Sequence, residues 1–251
     1  MAEAAVDVAV SSVHERRLEL ARSLLRGMEN RAASVRPVAA PEADGRVLPV
    51  AAPLARLLPA GGLRRGSTVS VSGGPGSTSL LLALLAEASA GGAWTGVVGR
   101  PELGLVAAAE AGIRLDRLAL VPHPGADLLA VTSALLDGLD VVAVAGAARA
   151  GVRAADRQRL AARARQRGAV LLALGPWPDA DVELGCADVQ WRGIGAGSGR
   201  LCERRARVQL RGRGVAPGGR RAHLLLPAPG GVVGTAGEPD AVTHLPARAA
   251  G

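Results

Sequence analysis

Val69-Ser70-Val71-Ser72-Gly73-Gly74-Pro75-Gly76-Ser77-Thr78-Ser79-Leu80 is the stretch on which the reading of the fold turns. Alternating Val and Ser suit a short strand, and the run Leu80 to Ala86 suits a buried helix. The glycines between them make a strand-to-helix turn. Turns of this shape aim backbone N–H groups at a polyphosphate beside a helix N-terminus, and a lysine then reaches the outer phosphates. Here Ser77, Thr78 and Ser79 follow the last glycine, and no lysine occurs anywhere in the 251 residues.

On either side of this turn, from 54 onward, short apolar runs alternate with amphipathic ones. Strands are expected at 68–72, 94–98, 118–121, 141–145 and 170–174, and helices at 78–90, 103–111, 126–136 and 154–167. Strands apolar on both faces, alternating with helices, predict a mostly parallel sheet flanked by helices in one α/β domain. After Gly175 the helical pattern stops. Strands at 182–184, 187–192, 204–211 and 221–226 predict an antiparallel extension, with Arg205, Arg207, Gln209 and Arg211 on a wet face opposite Ala206, Val208 and Leu210.

Before this core, Ser12-Val13-His14-Glu15 fits a capping box. Leu18, Ala21, Leu25 and Met28 follow at helical steps, so a helix over 12–29 is expected, joined to the core by a Pro- and Ala-rich connector that completes a 1–53 leader. Its apolar face, with Leu18 and Leu25, packs on its own domain or on another molecule. The core spans 54–226, and 227–251, rich in Pro, Gly and Ala without periodicity, reads as a flexible tail.

The thirty basic residues are all arginine, and Phe and Tyr are absent, so the core is built from Leu, Val and Ala. The formal charge of +8 is concentrated: Arg192, Arg200, Arg204, Arg205, Arg207, Arg211, Arg213, Arg220 and Arg221 face the single acid Glu203, and the remainder balances. Two readings stay open for this block, a contact with nucleic acid or an arginine-laced solvent face. Cys186 and Cys202 have no CxxC spacing and read as reduced, and the four histidines share no metal-ligand spacing, so no metal is assigned. No apolar run approaches the roughly 20 residues that span a bilayer, and no signal peptide is evident, so a soluble, cytoplasmic protein is expected.

Several segments together resemble the RecA-type recombinases. They are Leu-Pro-Ala-Gly-Gly-Leu-Arg-Arg-Gly (58–66), the glycine turn, Gly99-Arg100-Pro101-Glu102, Ala-Ala-Glu-Ala-Gly-Ile-Arg-Leu-Asp-Arg-Leu (108–118) and Leu-Leu-Asp-Gly-Leu-Asp-Val-Val (135–142). The likeness covers about 54–214 and implies a RecA-like core. Within it, Gly76-Ser77-Thr78 stands where Gly-Lys-Thr belongs, the loop is two residues short, and Ala145 or Gly146 replaces the strand-end aspartate that helps to hold magnesium. Asp140 lies at the opposite end of its strand, and Glu102 occupies the region of the family's catalytic glutamate. Phosphoryl transfer depends on positioning and charge stabilisation, and losing one such group commonly costs about a hundredfold. The chain is therefore expected to lack ATPase activity, with Gly73, Gly74, Gly76, Ser77, Thr78 and Ser79 forming a degenerate nucleotide loop. No cofactor is required, and residual ATP binding through backbone amides is left open.

Within that superfamily the chain is similar to the RecA-like accessory proteins of actinobacterial mutagenesis cassettes, the ImuA-prime type, on residues 72–88 and 118–125. This resemblance implies a non-catalytic role in the SOS response and damage-induced translesion DNA synthesis, near the nucleoid. Its partners would be a Y-family polymerase-like protein and an error-prone replicative-type polymerase. The alternative is a recombinase-like mediator that binds nucleotide and single-stranded DNA. Arg204, Arg205, Arg207, Arg211 and Arg213 are the candidate nucleic-acid or partner contacts, Leu18 and Leu25 the candidate helix interface, for self-association or a heterotypic contact, and Trp177 is favoured as a packing or partner contact.

Overall fold

The computed structural model describes residues 45–72, 74–195 and 198–236. The expected 12–29 helix with Leu18 and Leu25, Gly73 of the turn, and the tail from 237 lie outside the described residues.

In chain order the elements are β1 (Val47–Leu48), α1 (Ala52–Ala55), β2 (Leu63–Arg64), β3 (Thr68–Val71), α2 (Ser77–Ala90), β4 (Thr95–Val98) and α3 (Leu105–Glu110). Then come β5 (Leu118–Val121), α4 (Leu128–Gly138), β6 (Val141–Ala145), α5 (Ala154–Arg167), β7 (Val170–Leu174), β8 (Val182–Gly195), β9 (Ser198–Gly212), β10 (Arg220–Leu225) and β11 (Gly234–Thr235). β1 and β2 form a small hairpin, and the other nine strands form one sheet in the order β11-β10-β9-β8-β3-β7-β6-β4-β5. From β5 to β8 the pairing is parallel, and from β8 to β11 it is antiparallel. The result is the expected α/β architecture, with a large mixed sheet flanked by helices.

The two faces of the sheet are covered unequally. On one face α2, the β1–α1–β2 segment and Ala108 of α3 build a core that runs the width of the sheet, from Val97, Ala143 and Leu172 through Val71 and Leu184 to Val208, Leu210 and Leu224. α2 is apolar nearly all round because it is buried nearly all round, and Glu87 marks its solvent side. On the other face, Leu135 and Leu136 of α4 and Leu160 and Ala164 of α5 pack only on Val98, Val142, Val144, Leu171 and Ala173. Among the described residues no helix covers β8, β9 and β10 on that side.

The reason lies in the β7–β8 connection. It passes over β3 to reach the far side, and it does so with residues 175–181 alone. Parallel crossovers usually carry a dozen or more residues and a helix. Here Trp177, 5% exposed among the α4–α5 core residues, fills the space instead. Ser70 Oγ donates to the Gly175 carbonyl at 2.9 Å and the Thr68 amide donates to Asp181 at 2.9 Å, which binds the short crossover to β3.

Three segments differ from the sequence expectation. The strands read at 182–184 and 187–192 are one strand, β8, carrying a β-bulge after Ala187. Within the connector, Leu48 and Val50 are buried, so β1 and the start of α1 form where tertiary contacts override a Pro- and Ala-rich composition. The chain also continues in order past Leu226: Ala228 is buried, the Ala228 amide bonds the Val232 carbonyl, and β11 pairs with β10.

Candidate functional site

The glycine turn sits at the carboxyl end of β3, in the interior of the sheet. From β3 the chain crosses over β7 and β6 to β4, whereas β8 lies on β3's other side. Open α/β sheets bind ligands at such a change of direction. Gly76 is the N-cap of α2, at φ 93°, and no side chain caps the helix. A Cβ at position 76 would come within 3.0 Å of the Cys186 Cβ and 3.2 Å of its sulfur, with Val189 next at 3.5 Å. The turn is therefore closed from outside by β8 and its bulge. Ser72, at the start of the turn, donates through Oγ to Glu183 at 2.8 Å.

The first helical turn has a cation, but it comes from another strand. Arg100, just past β4, donates from Nη2 to the Thr78 hydroxyl at 2.6 Å. Its Nε lies 3.1 Å from Glu102 as an ion pair without hydrogen-bond alignment. Arg100 can reach because Gly99, at φ 74°, turns sharply against β6: a Cβ there would sit 2.5 Å from the Ala145 carbonyl. In phosphate loops the hydroxyl at the Thr78 position faces magnesium. Here a guanidinium holds that hydroxyl and pairs with the nearby carboxylate. Ala145, at the carboxyl end of β6, is 5% exposed and offers no oxygen ligand from its side chain. These residues do not fit a magnesium nucleotide, and no phosphoryl-transfer step is derived through one.

Asp140, at the other end of β6, has a different job. It accepts from Arg65 Nη2 at 2.8 Å and from the Trp94 amide at 2.9 Å, tying the β2–β3 turn to the start of β4. No group of three or more His, Cys, Asp or Glu side chains among the described residues could hold a metal ion.

The arginine block divides by strand parity. Arg204 faces the buried side with Ala206: its Nε donates to the Leu226 carbonyl at 2.7 Å and its guanidinium lies 5.1 Å from the Trp191 ring centroid. Burial lowers its pKa from the ordinary arginine value. Arg213 pairs with Asp181 at 3.2 Å, and Arg220 donates to the Leu57 carbonyl at 3.2 Å, so both serve as ties. Arg205, Arg207 and Arg211 share the open face, as the alternation predicts, and Arg221 joins them because it lies directly across from Gln209. The sequence alone groups Arg204 and Arg213 with the open-face arginines as contacts and gives Arg100 only one signal, an arginine one residue after a strand-end glycine. Trp177 is buried, in keeping with the packing role expected of it.

Comparison with known proteins places this geometry in a family. The model of the MT3502 N-terminal domain matches residues 56–179, which hold β3 to β7 of the parallel part of the sheet, the glycine turn and Arg100. An uncharacterized protein of Mycobacterium tuberculosis, Rv3395c, is 38% identical over 147 residues, spanning 55% of this chain and 71% of the relative. No helix among the described residues is long and apolar enough to cross a membrane. At that identity and coverage, the chain belongs to the same family as Rv3395c, and its residues 56–179 are similar to the MT3502 N-terminal domain.

Proposed function

We propose that this protein is a non-catalytic, RecA-like accessory factor that supports damage-induced translesion DNA synthesis through protein contacts. One observation carries the non-catalytic part: Arg100 donates to Thr78 and pairs with Glu102, so the two groups nearest to phosphate chemistry are occupied by a side chain of the protein itself. The RecA-like part is supported by layout, a glycine turn on an interior strand of a parallel sheet that continues into antiparallel strands. The role in mutagenesis rests on the resemblance to the ImuA-prime type, and a mycobacterial relative is in keeping with it. Its partners are then a Y-family polymerase-like protein and an error-prone replicative-type polymerase, met in the cytoplasm at the nucleoid.

The test is genetic with a biochemical control. Deleting the gene should abolish damage-induced mutation, and wild type, Thr78→Ala and Glu102→Gln should each restore it. Purified protein should turn over no ATP with magnesium, with or without single-stranded DNA. Undiminished induced mutation in the deletion strain would end the mutagenesis reading, and turnover that vanishes in Glu102→Gln would end the non-catalytic one.

A further inference from the structure

The half of the sheet left bare by the short β7–β8 crossover is a surface with a definite chemistry. Its residues can be read from the register. β9 contributes Arg205, Arg207, Gln209 and Arg211; across from them β8 places Gln190, Ala187, Gly185 and Glu183, and β10 places Leu225, His223 and Arg221. Arg211, Arg221 and His223 are exposed, and no helix lies over them among the described residues.

The charge on this face is only partly offset, and Glu203, the acid that β9 adds to it, lies across from Arg192 of β8. Asp188, at the bulge with φ 52°, approaches Arg207 Nε at 2.8 Å, and Glu183, although directly across from Arg211, accepts the Ser72 hydroxyl. Arg205, Arg211 and Arg221 make no hydrogen bond or ion pair through their side chains among the described residues, and Arg205 Nε is buried without a partner. Unpaired guanidiniums on a flat strand face cost stability through mutual repulsion, and a partner with regularly spaced negative charge relieves it. The partner is further defined by what the face lacks. It carries no Trp, Tyr or Phe side chain, and the exposed His223 imidazole is the one aromatic ring on it among the described residues, since Trp191 lies across from Arg204 on the opposite side and Trp177 is buried. A track of several stacking rings, the usual anchor for single strands, is therefore not on offer, whereas phosphate contacts need only the arginines.

We infer that the open β8–β9–β10 face binds the phosphate backbone of duplex DNA, without sequence preference, through Arg205, Arg207, Arg211 and Arg221. This site lies away from the glycine turn and is independent of whether nucleotide binds there. It gives an accessory protein a hold on the template as well as on its protein partners.

The test is fluorescence anisotropy with a short labelled duplex of arbitrary sequence and the full-length protein. Contacts to about four phosphates make affinity fall about a hundredfold between 50 and 200 mM salt. Arg211→Glu/Arg221→Glu should bind at least tenfold more weakly at low salt, with a shallower salt slope and a melting temperature that does not fall, because neither side chain has a partner to lose and the repulsion among the arginines is relieved. The same charge change on α5 and its preceding loop, Arg149→Glu/Arg159→Glu, should leave most of the binding in place. Three results would each overturn the inference: no duplex binding at low salt, equal losses in the two double variants, or tighter binding of a single strand that is lost in Trp191→Ala.

Discussion

At the scale of single residues, one side chain often does the work of a larger part. Trp177 takes the place of a crossover helix, so Trp177→Ala should destabilise the protein by about 3–5 kcal/mol, the usual cost of emptying a buried aromatic site, as read by denaturant melts. With no Tyr or Phe in the chain, fluorescence reports Trp94, Trp177 and Trp191 alone. Iodide should quench Trp191, which is 47% exposed, and spare Trp177. Gly76 is similarly constrained. Its positive φ and the nearness of Cys186 mean that Gly76→Ala strains the backbone and crowds β8 at once. Burial also pushes the Cys186 thiol pKa up, so a thiol reagent at neutral pH should label exposed Cys202 well before Cys186.

At the scale of elements, α4 and α5 are joined by a compact charge cluster. Arg163 and Arg167 both reach Asp137, with Arg163 Nη2 at 2.6 Å and Arg167 Nε at 3.1 Å. These hydrogen bonds, Arg163 first, hold the Asp137 carboxyl below its ordinary value. A carboxylate with a lowered folded pKa contributes fully above its unfolded pKa, near pH 4, and loses that contribution as pH falls through the folded one. Asp137→Asn should therefore cost about 0.5 kcal/mol at neutral pH, given its partial exposure, and flatten the loss of stability below about pH 4.

The same scale shows what could be read from residues alone. β5, β6, α5 and β7 fall where their sequence pattern puts them: β6 and β7 are apolar runs buried almost throughout, β5 is a partly buried run of the same kind, and α5 repeats its buried Leu160 and Ala164 at a helical step. The β8–β9 ribbon was legible only in part. Its glycines at 193, 195 and 199 look like a turn, yet pairing holds them in strands that continue past the end of β3 by up to about 35 Å at the usual rise per residue. β1 and β11 are two residues each, too short to carry any period, and exist because a neighbouring strand pairs with them. Within the site, Asp140 was correctly set at the far end of its strand. Arg100 was not placed, because its partner Thr78 is 22 residues away and joined to it only by the folding of β4 beside β6.

At the scale of the whole molecule, the C-terminal segment acts as a clasp. Leu226 is 1% exposed and bonds through its backbone to Arg204, Gly231 lies close against the Glu110 backbone of α3, and Val233 packs on the apolar core. A chain ending at Leu225 would remove this buried leucine and β11 together. Its melting temperature should fall by several degrees, consistent with a loss of about 2–4 kcal/mol.

The seven-residue crossover from β7 to β8 has a consequence for how such a protein can change over time. A helix inserted there would give the sheet an ordinary second cover and relieve Trp177 of its task, but it would also seal Arg205, Arg207, Arg211 and Arg221 beneath apolar side chains. Descendants of this chain can therefore gain that helix only by giving up the arginines. Among relatives, a long crossover should go with a neutral β9, and a short one with a charged β9.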